Sequence, residues 1–197
     1  MTVEAVSVAR GTVRTRPMAW WGMWLLIATE ASLFGVFIAA YFYLRFRTQP
    51  WPPDGISKPD PWWPLASTLV LVLSSIPAQL GAHAVRRRRR GTALLALVAT
   101  SVLALLYLGG MVQVFAESAR EFHPQKDAYA SIYYLLNGAH WAHVAVGVLV
   151  NLFLLLRLGL GQTRYRAVGV EVMALYWHFV NVLAVLVLLT TLSPLLS

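Results

Sequence analysis

Five long apolar blocks, separated by short polar stretches, run through the chain. A helix needs about 20 mostly apolar residues to cross the hydrocarbon of a bilayer. The pattern therefore predicts spans at about 18–44, 64–85, 92–116, 129–157 and 168–192, behind a basic arm at 1–17. Trp20, Trp21 and Trp24 crowd the start of the first span, and Tyr41, Phe42 and Tyr43 its end. Aromatic residues at both ends fit the two membrane interfaces. Pro77 predicts a kink in the second span. Gly109 and Gly110 flatten one side of the third, which favours close helix contact. The proline-rich stretch 45–63, with its Asp54-Gly55 turn, reads as an extended loop ordered by packing. Residues 117–128 read as a loop of mixed charge.

The fourth span breaks the apolar pattern most. At about 100° per residue, Tyr129, Tyr133, Asn137, His140, His143, Gly147 and Asn151 fall within roughly a third of its circumference. Leu, Val, Ala and Trp fill the other side. A polar stripe at bilayer depth cannot face lipid tails cheaply; it must meet protein, water or headgroups.

Composition sharpens this. The chain is 58% hydrophobic and 12% charged over 197 residues, whereas a soluble domain is about a quarter charged. The reading is an all-α integral membrane protein, with 18–197 forming a single domain. The first apolar run is too long for a cleaved signal and is read as a retained helix. There is no cysteine, which excludes thiolate metal sites, c-type haem attachment and disulfides. The net charge of +8 lies mostly between spans, so it speaks of topology and anionic headgroups rather than nucleic acid. With the N-terminus inside, eleven basic residues are internal: Arg10, Arg14, Arg16, the run Arg86–Arg90, Arg157, Arg164 and Arg166. Five are then external: Arg45, Arg47, Lys58, Arg120 and Lys126. That asymmetry favours N-in, C-out. No phosphate-binding loop and no stretch long enough for a soluble catalytic domain is visible.

Four polar groups within the spans call for a reason: Glu30; Thr68, Ser74 and Ser75; Asn137, His140 and His143; Glu171, His178 and Asn181. His140 and His143 are one turn apart, so with Glu30 or Glu171 they could offer nitrogen and oxygen ligands to a metal. Without cysteine or a Glu-x-x-His pair, hydrogen bonding between helices is the preferred reading. Glu30, on a greasy face with Phe34 and Phe37, is a candidate for a proton-linked role or for a neutral carboxyl donating to a neighbour. Glu171 and His178 are two turns apart, too far to pair, and should meet different neighbours in an interhelical network. The serines and threonine of the second span read as helix contacts. The arginine run reads as a solvated anchor, with an anionic-lipid site as the alternative.

These residues carry a resemblance. Trp24-Leu25-Leu26-Ile27-Ala28-Thr29-Glu30, Trp51-Pro52-Pro53, Thr68 with Ser74-Ser75, Asn137 through Val144, and Glu171 with Tyr176-Trp177-His178-Phe179 resemble subunit III of the haem-copper respiratory oxidases in its short, five-helix bacterial form. Asn137 stands where that family usually has Thr, and Asn181 where it usually has Asp. Its third-span Glu corresponds to Glu117 or Glu121. The resemblance implies a V-shaped arrangement, two helices against three, with phospholipid in the cleft and Glu30 facing it. It implies a non-catalytic subunit of a proton-pumping terminal oxidase in the bacterial plasma membrane. Such a subunit docks on catalytic subunit I, alongside subunit II, and sustains proton uptake. Haem and copper sit in those partners. This chain, with five histidines and no cysteine, carries no redox centre on this reading. Glu30, His140, His143, Glu171 and His178 are the expected lipid-cleft or proton-linked positions. Thr68, Ser74, Ser75, Asn137 and Asn181 are the expected interhelical contacts. Membership of a larger respiratory supercomplex is open. So are two other readings: the same fold in a quinol oxidase or nitric oxide reductase, and a small metal or proton transporter.

Overall fold

The computed structural model describes residues 17–54, 56, 61–161 and 166–196. Arg10, Arg14, Arg16, Gly55, Lys58 and Arg164 lie outside the described residues, as do the side chains of Glu121 and Arg166. Six α-helices follow one another: α1 (Met18–Arg47), α2 (Trp62–Leu73), α3 (Ser75–Arg86), α4 (Arg90–Glu121), α5 (Ala128–Gly159) and α6 (Arg166–Thr191). A 3-10 turn, Ser193–Leu196, closes the described chain. With α2 and α3 forming one span, five helical stretches among the described residues are long and apolar enough to cross a membrane. Leu25, Leu149 and Leu156 are among the large apolar side chains left exposed on the outer faces.

The α2–α3 break has a local cause. Pro77 has no N–H to give the carbonyl of Leu73, and its ring crowds that carbonyl. The helix accordingly breaks at Ser74, whose hydroxyl turns back to the Leu71 carbonyl. Two expectations need correcting nearby. Gly110 does allow close approach, since a Cβ there would lie 2.8 Å from Ser67 Oγ, but Gly109 has no neighbour within 4 Å. Residues 117–121 are helical rather than loop. The i,i+4 bond from Gln113 to Glu117 (3.1 Å) supports this extra turn, and buried Phe122 ends it.

The core is organised around α6, which packs against α1, α2, α3 and α5. Helix α4 fills the remaining side, against α2, α3 and α5. The expected V of two helices against three is not present. A two-helix arm would need the first two spans to pack together, yet α1 makes no contact with α2 or α3. The buried positions on α1 explain why. Ile27, Phe34 and Tyr41, seven residues apart, form a single seam. Phe34 packs with Leu136, Leu183 and Val187, and Tyr41 with Tyr129 and Tyr133. The first span is therefore a peripheral helix seated in the groove between α5 and α6.

The loop after α1 is ordered by packing where it is described. Trp51 and Ile56 are buried against Tyr41 and Tyr129, and Trp51 Nε1 donates to Tyr41 Oη at 3.1 Å. At the same end of the bundle, Arg45 reaches the Ser193 carbonyl at 3.3 Å.

Candidate functional site

The polar stripe of α5 faces protein. Tyr129, Tyr133, Asn137, His140, Gly147 and Asn151 are all buried, and His143 is half-buried at its edge. What each side chain meets differs.

His143 meets Glu30. Its Nε2 lies 2.8 Å from Glu30 Oε2, and its Nδ1 lies 2.7 Å from the Ala139 carbonyl. A carbonyl only accepts, so Nδ1 carries a hydrogen. One further proton then lies between Nε2 and the carboxylate, which makes the pair neutral overall whichever atom holds it. That is a tolerable way to keep an acid and an imidazole in oil. The pair ties α1 to α5, with side chains still 20–23% exposed on the outer face. Tyr176 of α6 donates to the His143 carbonyl at 3.1 Å, which brings the third helix to the same point.

His140 is one turn away and has none of this company. It is 1% exposed, and neither ring nitrogen has a hydrogen-bond partner among the described residues. Phe34 packs edge-on against both histidines, its ring centroid 5.2 Å from that of His143 and 6.4 Å from that of His140. Tyr107 packs edge-on against His140 from α4. The two imidazoles thus do not converge on a common ligand. Among the described residues no three histidine, aspartate or glutamate side chains come together in a way that could hold a metal ion.

The last span makes a second set of ties. Glu171 receives both Arg86 Nε and Nη2, at 2.7 and 3.0 Å. The arginine is 62% exposed, so this bidentate pair contributes at most about 1 kcal/mol. His178 Nε2 bonds Gln79 Oε1 at 2.9 Å. Glu171 and His178 therefore do meet different neighbours, as their spacing required. Asn181 donates to Ser75 at 2.5 Å and Trp177 to Ser74 at 2.7 Å. The break above Pro77 is what offers both serines to α6. Asn181 keeps a buried Oδ1 without a partner among the described residues. Asn137 turns inward along its own helix and donates to the Tyr133 carbonyl at 2.9 Å. Thr68 is buried among α2, α4 and α6. In membranes such hydrogen bonds contribute about 0.6 kcal/mol each on average and up to about 2.

Several partners were not foreseen from sequence. Arg86 was one of five arginines, with nothing to single it out for Glu171. Gln79, the lone amide in its span, was a signal for His178. Asn151, which donates to the Leu97 carbonyl (3.0 Å) and Ser101 Oγ (2.9 Å), was in the stripe, but its partner helix was not evident. In the sequence Trp177 stands out only as part of a motif. It fills the space above Gly147, where a Cβ would lie 2.6 Å from its ring, so Gly147 sets the α5–α6 approach. Arg90 reaches the Gly159 carbonyl, so the arginine run holds helix ends together as well as meeting solvent.

Comparison with known proteins gives a consistent result. Residues 2–192 match the family described as cytochrome c oxidase subunit III. Similar proteins include the cytochrome c oxidase subunit 3 of Triticum aestivum, 35% identical over 82% of this chain and 63% of that protein. The Arabidopsis thaliana protein is 34% identical over the same shares. That of Thermostichus vulcanus is 30% identical over 82% of this chain and 80% of its own length. The chain thus spans less than two thirds of the plant relatives' length.

Proposed function

Because this chain belongs to the cytochrome c oxidase subunit III family, we propose that it is a non-catalytic core subunit of a proton-pumping terminal oxidase that reduces oxygen to water. It docks on the catalytic subunit I beside subunit II, holds phospholipid against its flank and sustains proton uptake. Haem and copper belong to those partners. The relatives' name favours cytochrome c over quinol as the electron donor. The complex sits in a bacterial plasma membrane, with this chain's N-terminus in the cytoplasm and its C-terminus outside. The asymmetry of basic residues supports that orientation.

One observation carries the scaffold role. Glu30, Glu171, His143 and His178 are each bonded to a side chain of another span. Groups held this way fix helix positions and are not poised for bond making. The large apolar side chains exposed on the outer faces support contact with lipid or with membrane-embedded partners.

The test is affinity purification of this chain, gently solubilised, from the native membrane. A complex containing haem and copper that consumes oxygen with reduced cytochrome c supports the reading. Glu30→Gln in that complex should leave the haem spectra unchanged. A chain that purifies alone and active, or that binds haem or copper by itself, overturns it.

A further inference from the structure

The unpartnered His140 ring lines a small cavity of about 20 Å³ bordered by α2, α4, α5 and α6. Thr68, Tyr107, Tyr133, Asn137 and Thr191 line it as well. A neutral imidazole has one donor nitrogen and one acceptor nitrogen. The faces of Phe34 and Tyr107 can take a weak N–H contact, but no ring can satisfy a nitrogen lone pair. The acceptor nitrogen needs an O–H or N–H donor.

The neighbouring donors are largely committed. Asn137 Nδ2 gives its hydrogen bond to the Tyr133 carbonyl, and Thr191 Oγ1 gives its own to Val187. Among the described residues neither His140 nitrogen has a hydrogen-bond partner. A cation is a poor fit, because no carboxylate lines the space. An apolar guest would leave the imidazole unsatisfied. A water needs roughly 10–15 Å³ of such space and two to four polar partners, and the cavity meets both conditions.

We propose that His140 is the anchor of a single buried water site, in which one water donates to the imidazole and bridges it to a lining hydroxyl or to the amide oxygen of Asn137. The site joins four of the five spans at bilayer depth. It gives His140 a role distinct from that of His143: one histidine binds an acid at the edge of the bundle, the other binds water at its centre. The inference stands on the cavity and the orphaned ring, independent of which oxidase the chain serves.

The test is a cryo-EM map of the native complex at a resolution that shows ordered waters, paired with the His140→Phe variant. The expected result is a peak at hydrogen-bond distance from a His140 nitrogen and from at least one oxygen of Thr68, Tyr107, Asn137 or Thr191. That peak should be lost in His140→Phe, while other internal waters remain. A dry cavity in a map that shows waters elsewhere overturns the proposal. So does a His140 nitrogen bonded directly to protein, or a peak that persists in His140→Phe. Should that variant fail to assemble, the wild-type map decides alone.

Discussion

His140 and His143 sit three residues apart on one helix, share one ring as a neighbour, and live in opposite circumstances. His143 is at the rim, with both nitrogens bonded and a carboxylate beside it. His140 is at the centre, sealed among four spans, with neither nitrogen bonded to protein. The difference teaches that burial and polar satisfaction are separate matters in a helical bundle. A rim position can reach a side chain on a peripheral helix. A central position is fixed by ring packing on several sides and cannot turn to find one. Phe34, fully buried, packs edge-on against both rings.

Removing that shared ring should have the largest effect. Phe34→Ala deletes the middle of the buried seam on α1 and removes the ring that touches both histidines. Phe→Ala changes in packed cores cost about 3–5 kcal/mol. Acyl chains can partly fill a gap at the rim, so the low end of that range is expected. The measurement is the temperature at which α1 becomes accessible to a thiol reagent through a cysteine introduced at Ile27, a buried position of the same seam, in a chain that has no cysteine of its own. An unchanged profile would mean that α1 is held by its ends, through Tyr41 and Trp51, and not by its centre.

How much of this contrast the residues announced can be argued position by position. The five spans were legible because a bilayer demands long apolar runs and tolerates little else. The break at Ser74 was legible from Pro77, since the missing N–H acts locally. The α5 stripe and the different partners of Glu171 and His178 followed from helical geometry alone. The identity of those partners did not. Arg86 and Gln79 sit on another helix, and nothing in a linear pattern fixes the rotation of one helix against another. The same ambiguity hid the fate of the two histidines, because both lie in the same polar third of α5. The V shape failed for a related reason. It came from a resemblance, whereas the seam of Ile27, Phe34 and Tyr41 places α1 on α5 and α6.

A smaller effect should follow from breaking only the rim pair. His143→Leu leaves the Glu30 carboxyl facing apolar groups without its imidazole. A buried polar group stripped of its partner costs about 1–3 kcal/mol. The rim position, still about a fifth exposed, allows some relief by rotation toward the interface. Glu30→Leu combined with His143→Leu should recover most of that loss, because two apolar side chains have nothing left unsatisfied. Retention of this chain in the detergent-solubilised complex, followed across the four members of the cycle, measures the coupling. Additive losses in the double variant would show that the 2.8 Å contact contributes no coupling between α1 and α5.

The smallest effect is the most informative about the proton. Nδ1 of His143 donates to Ala139, so Nε2 must either accept from Glu30 or donate to it. Glu30→Gln removes the carboxyl proton but supplies an amide N–H to the same nitrogen. If the contact needs only one hydrogen between the two side chains, Gln serves as well as Glu, and stability should change by less than about 1 kcal/mol. If the contact is held mainly by opposite charges, the neutral amide cannot replace the carboxylate, and the loss should approach that of His143→Leu. The ratio of the two losses therefore separates a shared-hydrogen tie from an ion pair. It does so at a position where His140, one turn deeper, serves as the internal reference that neither substitution touches.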